Sequence, residues 1–309
     1  MSRDGSARVL RARDFAIEIE PGRPLIMGVV NASPESFYDG GRDAGPEGRL
    51  ARARGLAGAA LVDVGGESGV SDLPAIDAGE EIRRAVPLVE RLAAEGLLVS
   101  VDTWKADVAR AALDAGAAMI NDASGLSDPG VAEACAEAGA ALVITHTRAA
   151  PKLKAFPGYD DVAADAVDFL AERISLARGL GVGEEQIVVD PGPDLSKTPA
   201  ETVAALRALP ALRELGHPVL LAVSRKDFLG AITERPPGER LAGTLAAVGE
   251  GVDAGAAIVR THDVAAVADF LSVRAHLRGE RDLPPDTRLA EPLRRERSSM
   301  PPRSTHDRT

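Results

Sequence analysis

Eight short apolar runs recur along the chain, at residues 25–31, 60–64, 97–102, 117–121, 140–145, 187–190, 218–223 and 256–260. Each is rich in Val, Ile, Leu or Ala and apolar on both faces, the pattern of strands in a parallel sheet covered by helices. Longer, often Ala-rich stretches of helical character fill the intervals, at 46–59, 78–95, 105–116, 128–139, 160–181, 198–215, 236–254 and 263–277. Regular alternation of strand and helix requires parallel crossovers. Eight such units over 25–277 predict an α/β fold, the (β/α)8 TIM barrel, which takes about 250 residues as one domain. An open doubly wound sheet would need a glycine fingerprint after its first strand. The chain has none, and it also lacks a Walker A loop, HExxH and GxSxG.

Nearly every run ends on a polar or ionisable residue: Asn31, Asp63, Asp102, Asn121, His146, Asp190, Ser224 and Arg260. In a barrel all C-terminal strand ends meet at one mouth, where such folds place their chemistry. Residues 1–24 alternate apolar and polar through RVLRARDFAIEIEPG and predict a small hairpin that could plug the opposite end. The barrel is expected over 25–278. Residues 279–309, rich in Arg, Pro, Ser and Asp, are expected to be a disordered tail.

Aromatic residues make up only 3% of the 309, so the core is aliphatic and no base-stacking platform for single-stranded nucleic acid is expected. A net charge of -11 disfavours nucleic acid and anionic membranes as partners. It leaves room for a small anionic substrate, because a local cluster of Arg and Lys can outweigh the global field. The single cysteine, Cys135, permits neither a disulfide framework nor a Cys-based zinc site. No apolar run approaches a membrane span, and the charged N-terminus has no apolar region of a secretory signal. A soluble cytoplasmic protein is therefore expected.

At the mouth, Asp102 and Asp190 are two carboxylates that could accept paired hydrogen bonds from an amidine-like or guanidine-like heterocycle edge, and Asn121 adds a donor and an acceptor. Taken singly, each could instead cap the helix that follows; three at equivalent strand ends favour a polar ligand site. The cations lie in Ser224-Arg225-Lys226 and Arg260-Thr261-His262-Asp263, after the seventh and eighth strands. That is the usual phosphate-binding corner of such barrels. Arg offers a planar fork to phosphate oxygens and Lys a mobile point charge. Lys226 and Arg260 read as functional, Arg225 as a surface salt bridge. Asn31 opens the segment NASPESFYDGG (31–41), long enough for a mobile lid. A neutral Asn is acceptable to Mg2+, which keeps its waters and binds through substrate phosphates. His146 reads as a structural hydrogen-bonding residue, and Cys135 and Trp104 as packing.

These residues together resemble the dihydropteroate synthase family. LIMGVVNASPESFYDGG (25–41) looks like its first signature and DVGGES (63–68) like its second. SVDTWKADVARAAL, INDASG, VVDPG, AVSRKDFLG, RLAGTLAA and VRTHDV follow in the family's order and spacing, so the similarity covers about 25–275. The resemblance implies a transferase of folate biosynthesis, which condenses 6-hydroxymethyl-7,8-dihydropterin diphosphate with p-aminobenzoate to dihydropteroate and pyrophosphate. Carried over motif by motif, Asp102, Asn121, Asp190 and Lys226 would hold the pterin ring. Asn31, Arg260 and His262 would hold the diphosphate and Mg2+, with Asn31 as the metal ligand, and Ser224 would meet the aminobenzoate carboxylate. Lys226, Arg260 and His262 would be the catalytic residues. The family also implies a homodimer.

The sequence departs from the family where the second substrate is expected. The second loop usually continues Thr-Arg-Pro-Gly, but here it reads Gly69-Val70-Ser71-Asp72. After Asp190 a glycine- and Phe-containing run is replaced by Pro193-Asp194-Leu195-Ser196, ahead of Lys197. After the fifth strand the chain reads Thr145-His146-Thr147-Arg148, where Met often flanks the His; Arg148, Lys152 or Lys154 could restore positive charge. Three functions therefore stay open: an active synthase, a non-catalytic or altered-specificity pterin-binding paralog, and a methyltetrahydrofolate-binding methyltransferase domain. The third has no corrinoid module in the chain to support it.

Overall fold

The computed structural model describes residues 8–33, 45–69 and 74–295. Most of the first-loop segment, including Pro34, Gly40 and Gly41, lies outside them, as do Val70–Asp72 of the second loop. The chain opens with an antiparallel hairpin, β1 (Arg8–Ala12) and β2 (Phe15–Ile19), paired from Arg8↔Ile19 to Ala12↔Phe15. Pro21 and Gly22 then turn the chain: Gly22 takes φ +80°, and the Arg23 N–H donates to the Glu20 carbonyl at 3.1 Å. Only glycine holds that second turn position without strain.

The barrel follows as β3 (Leu25–Asn31), α1 (Gly45–Arg54), β4 (Leu61–Gly65), α2 (Ala78–Ala94), β5 (Val99–Asp102), α3 (Ala106–Asp114), β6 (Met119–Asp122), α4 (Gly130–Ala138), β7 (Ala141–Thr145), α5 (Val162–Gly179), β8 (Ile187–Asp190), α6 (Pro199–Arg207), α7 (Leu209–Arg213), β9 (Leu220–Leu221), α8 (Asp227–Thr233), α9 (Leu241–Asp253), β10 (Ile258–Thr261) and α10 (Val264–Leu277). The eight strands β3 to β10 run parallel in the order β8-β7-β6-β5-β4-β3-β10-β9. A single parallel bridge, Val189↔Val219, with the Val189 N–H donating to the Pro218 carbonyl at 3.0 Å, joins β9 back to β8 and closes the ring. The predicted (β/α)8 TIM barrel is therefore the observed fold.

Three elements differ from the sequence expectation, each for a local reason. The seventh strand is Leu220–Leu221 rather than 218–223, because Pro218 has no N–H to give to the ladder. The helix expected at 198–215 is two, α6 and α7, divided at Ala208 with Pro210 in the first turn of α7. α8 was not expected at all: its seven residues, DFLGAIT, are too few to show a helical period and include a glycine. By compactness the chain divides into Met1–Leu271 and Ser272–Thr309. In the second unit the described residues beyond α10 are exposed, with one 3-10 turn at Glu291–Leu293.

Two apolar clusters hold the first unit together. The larger lies between strands and helices and includes Val62, Val101, Ile120 and Ile144 with Leu88, Leu92 and Leu170. The smaller closes the N-terminal end: Leu10, Ala12 and Ile19 of the hairpin pack on Met27, Leu61, Leu98, Met119, Val143, Val188 and Ile258. The expected plug is thus in place, and Arg13 pins it by donating from Nη1 to the Leu113 carbonyl at 2.6 Å. Strand side chains alternate faces with period two. Two residues beyond each apolar floor residue, the same inward position is polar on six strands. Leu61 leads to Asp63, Leu98 to Ser100, Met119 to Asn121, Val143 to Thr145, Val188 to Asp190 and Ile258 to Arg260. A polar layer above an apolar floor is therefore written into the strands.

Candidate active site at the barrel mouth

Arg260 organises that layer. Its Nε donates to Asp63 Oδ2 at 2.6 Å and its Nη2 to Asp102 Oδ2 at 2.8 Å. The Asn121 amide donates from Nδ2 to the same Asp63 oxygen at 3.1 Å. Asp102 and Asn121 stand opposite each other in the β5–β6 register. Asp63, Asp102, Asn121 and Arg260 thus form one connected set drawn from four strands. Burial opposes the charge on Arg260, but Asp63 and Asp102 outweigh it and hold the guanidinium protonated. Burial and the Asp63 carboxylate push Asp102 upward against the pull of Arg260. Among the described residues Arg260 Nη1 donates to no protein group, so the guanidinium keeps donors for a ligand.

Asp190, at the end of β8, accepts the Gly192 N–H at 2.7 Å, and burial raises its pKa. Gly192 has no alternative: a Cβ there would lie 2.1 Å from the His146 carbonyl oxygen, and its φ is +62°. Lys226 is the residue just before α8. Among the described residues its Nζ has no hydrogen-bond partner, yet it lies close enough to act on the charges of Asp102 and Asp190. Ser224 Oγ accepts the His262 N–H at 3.2 Å and lies 3.2 Å from His262 Nδ1. Asn31 ends β3 beside Gly65, whose missing side chain would come within 3.8 Å of Asn31 Oδ1.

Burial, then the Arg260 charge, hold His262 down to about 4, so it is neutral at pH 7. Unfolded, a histidine titrates near 6.5. Between pH 6.5 and 4 the unfolded chain therefore takes up a proton that the folded chain refuses, and stability falls as the pH drops through that window. His262→Gln should lose roughly 1–2 kcal/mol less than the parent between pH 7 and 4.5. Urea unfolding at the two pH values measures this; equal losses would show that the ring is not buried and neutral.

Other charged groups are engaged away from the layer. Arg225 makes a two-pronged pair with Asp263, at 2.8 and 2.7 Å, and donates to the carbonyls of Pro237 and Gly238. His146 is fully buried and bonded through Nε2 to Asp165 at 2.8 Å. Arg148, a candidate for restoring charge, is held by the same Asp165 at 3.0 and 2.8 Å and lies over the Phe169 ring, so it is directed elsewhere. Lys154 is exposed. Lys152 reaches the second loop: its Nζ donates to the Ser68 carbonyl at 2.7 Å, with Glu67 Oε1 3.8 Å away.

Several residues in this region were not singled out in the sequence. Asp63 appears there only as a strand end. Lys105 bridges Glu67 and Glu81, both at 2.6 Å, and donates to the Ile76 carbonyl at 2.8 Å, which ties the base of the second loop. Lys197 is 2% exposed and donates to the carbonyls of His146, Gly192 and Leu195, each at 3.0 Å. Asp194 and Ser196 take φ +62° and +54°, a left-handed backbone that costs a non-glycine residue about 1 kcal/mol or more. Asp194 accepts the backbone N–H groups of Asp227 and Phe228, and Ser196 Oγ lies 3.0 Å from Thr147 Oγ1. Neither the burial of Lys197 nor the left-handed backbone of Asp194 and Ser196 leaves a signal in the linear sequence.

A model of pterin-binding enzymes matches residues 27–262. The dihydropteroate synthase of Bacillus subtilis is 39% identical over 250 residues, 80% of this chain and 86% of that protein. An inactive dihydropteroate synthase 2 of Mycobacterium leprae is 39% identical over 282 residues, 88% of this chain and 95% of its own. Among solved structures, Xanthomonas albilineans dihydropteroate synthase with 4-aminobenzoic acid superposes with a TM-score of 0.82. It is 40% identical and covers 88% of this chain and 99% of that one.

Proposed function

The chain belongs to the dihydropteroate synthase family of pterin-binding enzymes, and from that membership we propose that it joins 6-hydroxymethyl-7,8-dihydropterin diphosphate to p-aminobenzoate. The observation that carries the reading is the polar layer in which Asp102, Asn121 and Asp190 stand with Arg260 above a sealed apolar floor. Carboxylates and an amide accept and donate along the edge of the pterin ring. Lys226, with no hydrogen bond to its ammonium among the described residues, supplies a positive charge beside that ring.

The chemistry follows from where charge develops. As the methylene C–O bond breaks, positive charge at the methylene spreads into the pterin ring and negative charge collects on the leaving diphosphate. The open donors of Arg260 meet that growing charge more strongly in the transition state than in the ground state. His262, being neutral, serves as a hydrogen-bond donor rather than as a second cation. The arylamine nitrogen then attacks the methylene, forming the C–N bond and losing a proton. It is nucleophilic as it stands, so no strong general base is assigned.

Mg2+ is the proposed cofactor. Among the described residues no group of three or more His, Cys, Asp or Glu side chains is placed to hold a metal, and Asp63 and Asp102 are paired with Arg260. That donor set fits an ion carried in on the diphosphate, with Asn31 as its one neutral protein ligand. When bound, it would neutralise charge on the departing pyrophosphate. Ser224 is the proposed contact for the aminobenzoate carboxylate. The family further supports a homodimer working in the cytoplasm. No helix among the described residues is long and apolar enough to cross a membrane.

A second reading is favoured by the changed acceptor side and by the inactive mycobacterial relative, whose match spans more of this chain than that of the Bacillus synthase. On this reading the pterin still binds but condensation is impaired or takes another amine. One experiment separates the two. Protein, Mg2+, the dihydropterin diphosphate and p-aminobenzoate are mixed, dihydropteroate is followed by mass spectrometry and pyrophosphate release is measured. The synthase gives both products at a rate set by protein concentration. Pterin binding in a calorimeter without either product establishes the binding paralog.

A further inference from the structure

We infer that Asp194 is a positioning residue for Lys226, fixing from a neighbouring loop the backbone that carries this lysine into the mouth. The inference rests on the pterin-binding reading above. It begins with a gap in local structure. The residue that introduces α8 is Lys226 itself, whose side chain cannot accept a hydrogen bond, so the helix has no cap of its own. The first N–H groups of a helix have no partner within it. Here those of Asp227 and Phe228 both donate to Asp194 Oδ2, from 33 and 34 residues away in sequence.

Asp194 is itself held from behind. Its N–H donates to Thr202 Oγ1 at 3.1 Å, and the Thr202 hydroxyl lies 3.2 Å from Asp194 Oδ1. Thr202 is fully buried on α6. The carbonyl of Lys226 is pinned separately, accepting from Arg240 Nη1 at 3.2 Å. The backbone is thus fixed on both sides of Lys226, while its ammonium has no hydrogen bond within the described chain. With no hydrogen bond to anchor it, that ammonium reaches toward Asp102 and Asp190 from the point where the backbone sets its Cα. The left-handed conformation of Asp194, at φ +62°, agrees with this reading. Glycine would take that conformation without strain but would bring no carboxylate to the helix. A strained residue persists where its surroundings hold it in place, and such sites gather around function.

The test is a double-mutant cycle read by calorimetric binding of the dihydropterin diphosphate, with melting temperature as the check on folding. Asp194→Gly removes the cap and relieves the strained backbone; it should weaken binding roughly tenfold with the fold intact. Asp194→Asn keeps an amide oxygen that can accept both N–H groups and should stay within about threefold of the parent. Lys226→Ala should weaken binding by at least as much as Asp194→Gly. Adding Asp194→Gly to Lys226→Ala should then change little, because the strut has lost what it positions. A purely structural Asp194 would shift melting in both backgrounds and leave the cycle additive. Unchanged binding in Asp194→Gly, or effects that multiply in the double variant, overturns the inference. A parent protein that binds no pterin overturns the functional reading instead.

Discussion

Arg260→Met should remove turnover and also lower stability by about 3 kcal/mol, even though the residue sits in a ligand-binding mouth. The reason is the pair of carboxylates it holds. Asp63 is fully buried and Asp102 largely so, and the guanidinium meets them at 2.6 and 2.8 Å. Removing the cation leaves two like charges facing each other with no paired guanidinium, the costly half of a buried ion pair, against which the Asn121 amide and the Lys226 charge are weaker partners. From the sequence alone, a cation at a barrel mouth would be expected to affect rate far more than melting. The structure makes Arg260 a case where both fall together. The check is a second variant: Asp63→Asn combined with Arg260→Met should recover much of the lost stability and none of the activity. If Arg260→Met melts with the parent, the ion-pair set contributes nothing to the fold and the energetic argument fails.

Lys197→Met should be the other large loss, about 3 kcal/mol, without removing any group that touches substrate. The buried ammonium serves three carbonyls, those of His146, Gly192 and Leu195, which join the exit of β7 to the loop after β8. Methionine matches the length but donates nothing, so the His146 and Leu195 carbonyls lose this donor and the Gly192 carbonyl is left with the Leu195 N–H alone. Titration supplies an independent sign. Burial lowers Lys197 to about 7, with Asp190 pulling it back up. An unfolded lysine titrates near 10.4. Between about pH 7 and 10.4 the unfolded chain holds the extra proton, so this residue makes the folded state gain stability as the pH rises. The rise should be smaller in Lys197→Met. Denaturant melts at pH 7 and pH 9 on both proteins decide it, and equal slopes would mean the ammonium is solvated.

Much of this was legible because strands impose a period of two. The eight apolar runs marked the strands, and the polar residue closing each run marked the mouth; Asn31, Asp102, Asn121, Asp190 and Arg260 all stand at or next to strand ends. What a linear sequence conceals is which of these residues face one another. Arg260 and Asp63 are 197 positions apart, and nothing in either neighbourhood announces their contact. The strut at Asp194 is hidden for another reason: aspartate in a loop looks the same whether its backbone is left-handed or not. α8 escaped because its seven residues never complete a second turn. Arg148 looked available as a loop cation, and only the packing of α5 shows Asp165 beneath it.

The hairpin on the floor has a consequence for traffic. With Leu10, Ala12 and Ile19 packed across the N-terminal ends of the strands, the barrel is a vessel with a single door. Two reactants and two products must pass through it. On the proposed reading, a pterin ring held by the polar layer next to that floor would have to arrive before the arylamine, and sequence of arrival would be set by depth rather than by affinity. On the same reading, a compound filling only the outer part of the well would trap a seated pterin rather than displace it.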